Sequence, residues 1–247
     1  MATKREMVGR FFWAIASLGV VVLLSFVSSR SASLPYGEVV VTVETPQNQV
    51  FITPDEVRQV VDNAIDTAVI LTVGEINISM LEETLDNQNF IHKSEVFSTV
   101  DGTLCINVLQ KEAMARVFEG NTSYYLDTYG SPMDLSPHFS APVTYVWGIP
   151  STTDTLSVLF MISRIRNSEF LSSWITGIEH QSDKGFVLYP KEGHHKIFFG
   201  DTTDSKAKSQ KLEVFYQYAV EQVKDVKSID LRFEGQVVTK KWNNHGN

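Results

Sequence analysis

The chain has 247 residues, of which 43% are hydrophobic, and a formal net charge of −8. This acidic balance argues against nucleic acid or an anionic lipid surface as the main partner. The one cysteine, Cys105, excludes an intramolecular disulfide, so the fold must rely on a hydrophobic core, which a chain of this length can form. Because Cys105 lies in a strand-like run, we expect a packed and inert thiol.

The first feature along the chain is an uncharged, proline-free apolar run, Phe11–Val27. As a helix it spans about 25 Å, enough to cross the hydrocarbon core of a bilayer. The basic residues in the preceding tail, residues 1–10, predict a cytoplasmic N-terminus and export of the rest of the chain. We interpret the run as a single transmembrane helix. A cleaved signal peptide is the alternative, because residues 28–33 are mostly small.

A short Ser-rich linker, residues 28–37, precedes a unit that we predict over residues 38–112. The sequence Thr53-Pro54-Asp55-Glu56 has the pattern of a capping box with proline at the first helical position. The order of elements predicts an α+β unit with two helices on one face of a three-stranded sheet. The predicted elements are a strand at Glu38–Glu44, helices at Thr53–Ile65 and Ser79–Asn87, and strands at Ile91–Thr99 and Thr103–Lys111. We expect Glu82 and Glu83 to lie on a solvated helix face.

Residues 113–242 change in character to short strands and turns, which predicts a second unit. Two helical patterns interrupt the strands, Ser157–Phe170 and Lys206–Val223. The last element is predicted as one strand, Ser228–Lys241, followed by a tail at 243–247. The other strand-like runs are Val117–Glu119, Tyr124–Asp127, Val143–Trp147, Ile175–Glu179, Phe186–Tyr189 and Lys196–Phe199.

Catalytic motifs are missing from the sequence: it contains no nucleophile elbow, zinc-protease, P-loop or dinucleotide-binding pattern. The adjacent His194 and His195 would point to opposite faces of a strand, and a metal site needs three or four convergent ligands. We therefore expect a solvated turn at this pair, and we predict no catalytic residue, metal or cofactor.

The functional candidate is the final strand. A terminal strand at a sheet edge offers unpaired main-chain groups to which a partner strand can add. Arg232 would suit a partner carboxylate, because its guanidinium can donate two parallel hydrogen bonds. Phe233 would supply apolar area, or would face the core together with Leu231. The competing interpretation is an interior strand on which Arg232 is only a surface charge.

Several short motifs occur in a specific order behind the predicted anchor. They are Asn89-Phe90-Ile91, Thr103 to Val108, Tyr125-Leu126-Asp127, Leu188-Tyr189-Pro190, Ile197 to Gly200, and Ile229 to Phe233 followed by Gly235. In this order the chain resembles the bacterial cell-division family FtsQ/DivIB over nearly its full length. Its sequence is most similar in character to members of the Bacteroidetes branch. The chain departs from the family near Ala113, where a proline is common.

The resemblance implies a POTRA-like βααββ domain followed by a mixed α/β domain on a mainly antiparallel sheet. It also implies a non-enzymatic, single-pass inner-membrane scaffold at mid-cell, with its C-terminal domains in the periplasm. In the family the terminal strand region receives a strand from an FtsB/DivIC-like partner, which pairs with an FtsL-like protein. The partner-binding positions carried over are Asp230, Arg232, Phe233, Gly235, Lys240 and Trp242, with Lys241 between the last two.

The resemblance further implies that the POTRA-like domain recruits other division proteins. Its exposed edge strand Glu38–Glu44 or its helix Thr53–Ile65 would provide the surface. Neither nucleic acid nor a small-molecule substrate is expected. Two alternatives stay open: a POTRA-containing assembly or secretion factor, and an anchored envelope hydrolase, which would need a pocket of convergent titratable groups.

Overall fold

The structure is a computed structural model that describes residues 13, 15–22, 37–65, 72–148, 152–181, 183–219 and 225–242. These residues form two compact units, which divide between Gln110 and Lys111. The predicted membrane segment 11–27 lies partly outside the described residues, and its described part, residues 13 and 15–22, is helical. Within the described part of the chain, no helix combines the length and the apolar character that crossing a bilayer requires.

The first unit contains β1 (Val39–Glu44), α1 (Pro54–Ala64), α2 (Ile78–Asp86), β2 (Ile91–Ser98) and β3 (Leu104–Gln110). Its three strands form a sheet in the order β1-β3-β2. Strand β1 runs parallel to β3, and β2 runs antiparallel to it. This is the predicted strand–helix–helix–strand–strand order, and the predicted α+β class is confirmed.

Capping side chains start both helices of the first unit. The Thr53 hydroxyl accepts a hydrogen bond from the Glu56 amide, and the Glu56 carboxylate accepts one from the Thr53 amide, which completes the predicted capping box. Helix α2 begins one residue earlier than predicted, because the side chain of Asn77 accepts from the Met80 amide and caps it. The buried residues of α1 and α2 cover one face of the sheet: Val57, Val61, Leu81 and Leu85.

Cys105 lies on β3 between two buried residues, Leu104 and Ile106, and is half-buried. Because side chains alternate along a strand, Cys105 points away from the face that the helices cover. The thiol that was expected to be packed is therefore only partly covered.

The second unit is a nine-stranded sheet in the order β12-β11-β10-β9-β8-β7-β4-β5-β6. Antiparallel pairs outnumber parallel ones, which join β4 to β7, β7 to β8 and β10 to β11. The strands are β4 (Ala113–Glu119), β5 (Thr122–Asp127), β6 (Pro132–Met133), β7 (Thr144–Trp147), β8 (Ile175–Gln181), β9 (Gly185–Pro190), β10 (Lys196–Gly200), β11 (Val226–Asp230) and β12 (Val238–Lys241). Its helices are α3 (Thr152–Arg166), α4 (Glu169–Trp174) and α5 (Ser205–Ala219).

The single helix predicted at 157–170 is two helices. The hydroxyl of Ser168 accepts a hydrogen bond from the Leu171 amide and starts α4 as a new helix. Side chains from these helices and from α5 pack on one face of the sheet, where Met161, Leu171 and Leu212 are buried against Ile178 and Ile197. The predicted residues 220–223 at the end of the last helix lie outside the described residues.

The single strand predicted at 228–241 is also wrong. The chain leaves β11 after Asp230, reverses over residues 231–237, and returns as β12 antiparallel to β11. Gly235 permits the reversal, because its φ of 68° lies in the left-handed region that glycine adopts without strain. Ile229 and Leu231 are both fully buried, whereas Phe233 lies in the reversal and is exposed.

His194 and His195 do not share a solvated turn. His194 is exposed, but His195 is buried, and its Nε2 contacts the hydroxyl of Tyr216 on α5. Burial lowers the pKa of His195 below its ordinary value of 6.5. Burial also raises the pKa of Tyr216, so this hydroxyl stays protonated. The pair is a neutral contact within the core.

The unfolded chain binds a proton at His195 more readily than the folded chain does. We therefore expect the free energy of unfolding to fall as pH drops below about 6.5, the ordinary histidine pKa. In His195→Gln this part of the pH dependence disappears. The measurement is urea unfolding of the second unit between pH 7.5 and 5.5, with His194→Gln as the exposed control. Equal pH dependence in wild type and His195→Gln would contradict the assignment.

Candidate functional site

Strand β12 is the edge of the nine-stranded sheet. All four of its residues are exposed. On one side it pairs with β11, with Val238 opposite Asp230 and Lys240 opposite Ser228. On the other side, no strand of the described part of the chain pairs with it. This free side is a place where another strand can add.

The direction of the main-chain groups on β12 follows from two hydrogen bonds, one on each side of a register shift between Val226 and Ser228. The Trp242 amide donates to the carbonyl of Asp225 at 3.0 Å, across the β11–β12 pair. The Leu231 amide donates to the Phe198 carbonyl on β10, so Asp230 and Ser228 direct their groups the other way, toward their partners Val238 and Lys240 on β12. Thr239 and Lys241 therefore direct their N–H and C=O groups away from the sheet, toward the free side.

The free edge carries positive charge on a chain that is acidic overall. Lys240 and Lys241 lie on β12, and Lys227 lies on the neighbouring β11. The ammonium group of Lys227 lies 5.2 Å from the ring centre of Trp242, a cation–π contact that positions this half-exposed indole. The side chains at the edge thus combine cations with an aromatic surface.

Of the six predicted partner-binding residues, only Lys240 lies on β12, and Trp242 follows that strand directly. Asp230 ends β11, which pairs with β10 on one side and with β12 on the other. The expectation that the Asp230 region forms the open edge is therefore wrong. The reversal at 231–237 moves the open edge one strand further.

The remaining predicted residues, Arg232, Phe233 and Gly235, lie in the connection between β11 and β12, residues 231–237. Arg232 donates from Nε and Nη2 to the two carboxylate oxygens of Asp230 at 2.9 and 2.6 Å. Burial alone would raise the pKa of Asp230, but the hydrogen bonds and the positive charge of Arg232 outweigh it and lower the pKa. This guanidinium already has a bidentate carboxylate partner within the chain.

The connection also packs on the sheet through Arg232. Its guanidinium lies 5.3 Å from the ring centre of Phe198 on β10. Its aliphatic part covers Gly200, where an added Cβ would lie 2.8 Å from Arg232 Cγ. In this structure Arg232 fixes the connection to β10, a role different from the predicted contact with a partner carboxylate.

A groove of about 1450 Å³ lies beside the connection, bordered by α5 and the ends of β9 and β10. Val214, Tyr218 and Phe233 line it and are exposed. Two of its charged residues, Lys208 and Asp201, pair with each other at 2.7 Å. Among the described residues, no group of three His, Cys, Asp or Glu side chains is placed to hold a metal ion.

Sequence reasoning missed an aromatic cluster on the sheet face opposite the helices. Phe118 stacks on Trp147, with ring centres 5.7 Å apart, and Trp147 meets Tyr189 edge-on at 5.6 Å. The ring of Trp147 covers Gly177, where a Cβ would come within 2.6 Å of it. The only sequence signal was the alternation of Tyr145 and Trp147 on β7, which cannot reveal neighbours from β4 and β9.

The two edges of the three-stranded sheet differ. On the β2 edge, the Ser94 amide donates to the Asp86 carboxylate at 2.6 Å, and the Val96 amide donates to the Glu82 carboxylate at 3.0 Å. Both carboxylates belong to α2, so this helix covers the edge, and the expected purely solvated role of Glu82 is wrong. Strand β1 forms the opposite edge of the sheet. It was one of the two predicted docking surfaces of this unit.

Comparison with known proteins assigns both units. Residues 112–240 match the family model described as FtsQ/DivIB, C-terminal related, and residues 37–109 match that of the POTRA-like domain. The cell division protein FtsQ of Salinibacter ruber (strain DSM 13855 / M31) is 29% identical over 157 residues, which cover 57% of this chain. The match spans 60% of the length of that relative.

Asp86 makes two of the hydrogen bonds that cover the β2 edge. Its carboxylate accepts from the Ser94 amide and also from the Ser94 hydroxyl, at 2.7 Å. In Asp86→Ala the buried Ser94 amide loses its acceptor, whereas the Ser94 hydroxyl keeps its contact with the Glu82 carbonyl at 3.2 Å, and we expect the free energy of unfolding of the first unit to fall by about 2 kcal/mol. The Asp86 ion pair with Lys93 is largely exposed on the lysine side, so Lys93→Ala should cost less than about 1 kcal/mol. Urea unfolding measures both, and a loss in Lys93→Ala as large as in Asp86→Ala would contradict this account.

Proposed function

Since the chain belongs to the FtsQ/DivIB family, whose C-terminal model matches residues 112–240, we propose that it is a non-catalytic scaffold of the bacterial division machinery. Family membership supports a role in cell division. In the proposed role the protein captures a partner strand at β12 and positions that partner for septation. The alternative of an envelope assembly or secretion factor has support from the POTRA-like unit alone.

The free side of β12 is the observation that carries this proposal. A partner strand that adds there forms main-chain hydrogen bonds with Thr239 and Lys241, whose groups point outward. The partner is an FtsB/DivIC-like protein that acts together with an FtsL-like protein. The lysines at the edge favour a partner strand with acidic side chains, because opposite charges bring the two surfaces together and fix their register.

Of the six predicted partner-binding positions, three contact the partner in the proposed role and three act indirectly. Lys240 and Trp242 belong to the edge itself and contact the added strand. Phe233, which is 47% exposed, provides apolar contact area at the connection. Asp230, Arg232 and Gly235 act indirectly, because the ion pair and the left-handed glycine set the path of the chain into β12.

The membrane run completes the proposal. Residues 11–27 anchor the protein in the inner membrane, with the N-terminus in the cytoplasm and both described units in the periplasm, at mid-cell during division. Confinement to one membrane raises the effective concentration of its partners. The POTRA-like unit recruits other division proteins, and β1 is the edge available for this because α2 covers β2.

Thr239→Pro tests strand addition directly. Proline removes an N–H that points to the free side, so the β11–β12 hydrogen bonds remain while the partner loses a donor and meets the proline ring. We expect affinity for the purified periplasmic segment of the FtsB/DivIC-like protein from the same genome to fall at least about tenfold. The measurement is isothermal titration calorimetry, with circular dichroism to establish the fold.

Thr239→Ala is the matched control, because it alters the side chain and keeps the main-chain donor. We expect its affinity to stay within about threefold of the wild-type affinity, since the substitution removes only part of an exposed side chain. Wild-type affinity in Thr239→Pro would overturn strand addition at β12. A fluorescent fusion that distributes evenly around the cell periphery, instead of gathering at mid-cell, would overturn the division role.

A further inference from the structure

Lys211 on α5 contacts the connection between β11 and β12 at three points. Its ammonium group donates to the carbonyls of Leu231 and Phe233 at 3.0 and 2.7 Å, with a longer contact of 3.4 Å to the carbonyl of Gln236. An ammonium group has three donors and no acceptor, so one side chain can serve three carbonyls. These contacts join the reversal to a helix that packs on the sheet.

The ends of the connection have their own anchors, but its middle does not pack on the core. Leu231 is fully buried, and its amide donates to the Phe198 carbonyl at 2.9 Å. Val237 packs against the core of the second unit. Residues 233–236 between these anchors are exposed. The contacts from Lys211 therefore hold the exposed middle of the reversal to α5.

Strand β12 depends on this support. It has four residues, all of them exposed, so none of its side chains is anchored in the core. Its position is set by pairing with β11 and by the connection that delivers the chain to it. A mobile connection would allow β12 to fray, and a partner strand would then have to order it on binding, which lowers affinity.

We propose that Lys211 is a positioning residue for strand capture: it fixes residues 231–237 and thereby holds β12 ready as a formed edge. This inference rests on the proposed function at β12. Lys211 acts through the connection and does not contact the added strand. Its effect is to reduce the conformational entropy that the protein loses on binding.

Lys211→Met tests the inference, because methionine keeps much of the apolar stem and removes all three donors. We expect affinity for the purified periplasmic segment of the FtsB/DivIC-like protein to fall about tenfold, with the loss in the entropy of binding. Amide hydrogen exchange should become faster in residues 231–241, while the unfolding midpoint in urea stays close to that of wild type. Lys206→Met, an exposed lysine of the same helix, is the control and should leave all three quantities unchanged.

The conservative variant Lys211→Arg provides the second measurement, for the case in which Lys211→Met lowers the unfolding midpoint. Arginine keeps the charge and the donors, and we expect it to recover most of the affinity and the slow exchange at residues 231–241. If Lys211→Arg restores the unfolding midpoint but not the affinity, Lys211 is not a positioning residue for binding.

Thr239→Pro separates the possible failures. If Thr239→Pro abolishes binding and Lys211→Met binds like wild type, the inference about Lys211 is overturned and the proposed function stands. If the partner segment binds to Thr239→Pro as tightly as to wild type, strand addition at β12 fails, and the role of Lys211 fails with it.

Discussion

Every main-chain N–H and C=O group at the edge of a sheet needs a partner, and the two units meet this need in opposite ways. In the first unit, two carboxylates of α2 accept from the amides of β2 and close that edge from within the chain. In the second unit, β12 lies at the edge with exposed side chains and outward main-chain groups at Thr239 and Lys241. The same physical requirement stabilises one unit internally and leaves the other an open edge, to which the proposed partner strand adds.

The reversal between β11 and β12 places the open edge of the sheet one strand beyond β11. Asp230 and Arg232 pair with each other, and Arg232 packs on Phe198 and Gly200, so these contacts hold the chain where it turns away from β11. Lys211 then holds the reversal from α5. Three of the six residues that the sequence predicted as partner contacts, Asp230, Arg232 and Gly235, lie where the chain turns toward the edge.

Local sequence patterns predicted what depends on neighbours along the chain. The capping box at Thr53 predicted the start of α1, and the alternation of apolar and polar residues predicted the β2–β3 hairpin of the first unit. The patterns failed where a side chain meets a distant backbone or core group. Glu82 reaches the Val96 amide, and His195 reaches Tyr216 on α5, and neither contact leaves a periodic signal. The candidate edge was predicted one strand too early, because Ile229, Leu231 and Phe233 alternate as a strand would. Leu231 and Phe233 lie in the reversal that follows β11.

Strand β12 comes after every other described strand along the chain. In the sheet it pairs with β11, which in turn pairs with β10. During synthesis from the N-terminus, β12 therefore emerges after the described strands that support it. In the proposed role, a chain that has not yet assembled β10 and β11 cannot offer β12 to a partner strand. The order of the strands would thus delay partner capture until the sheet of the second unit is assembled.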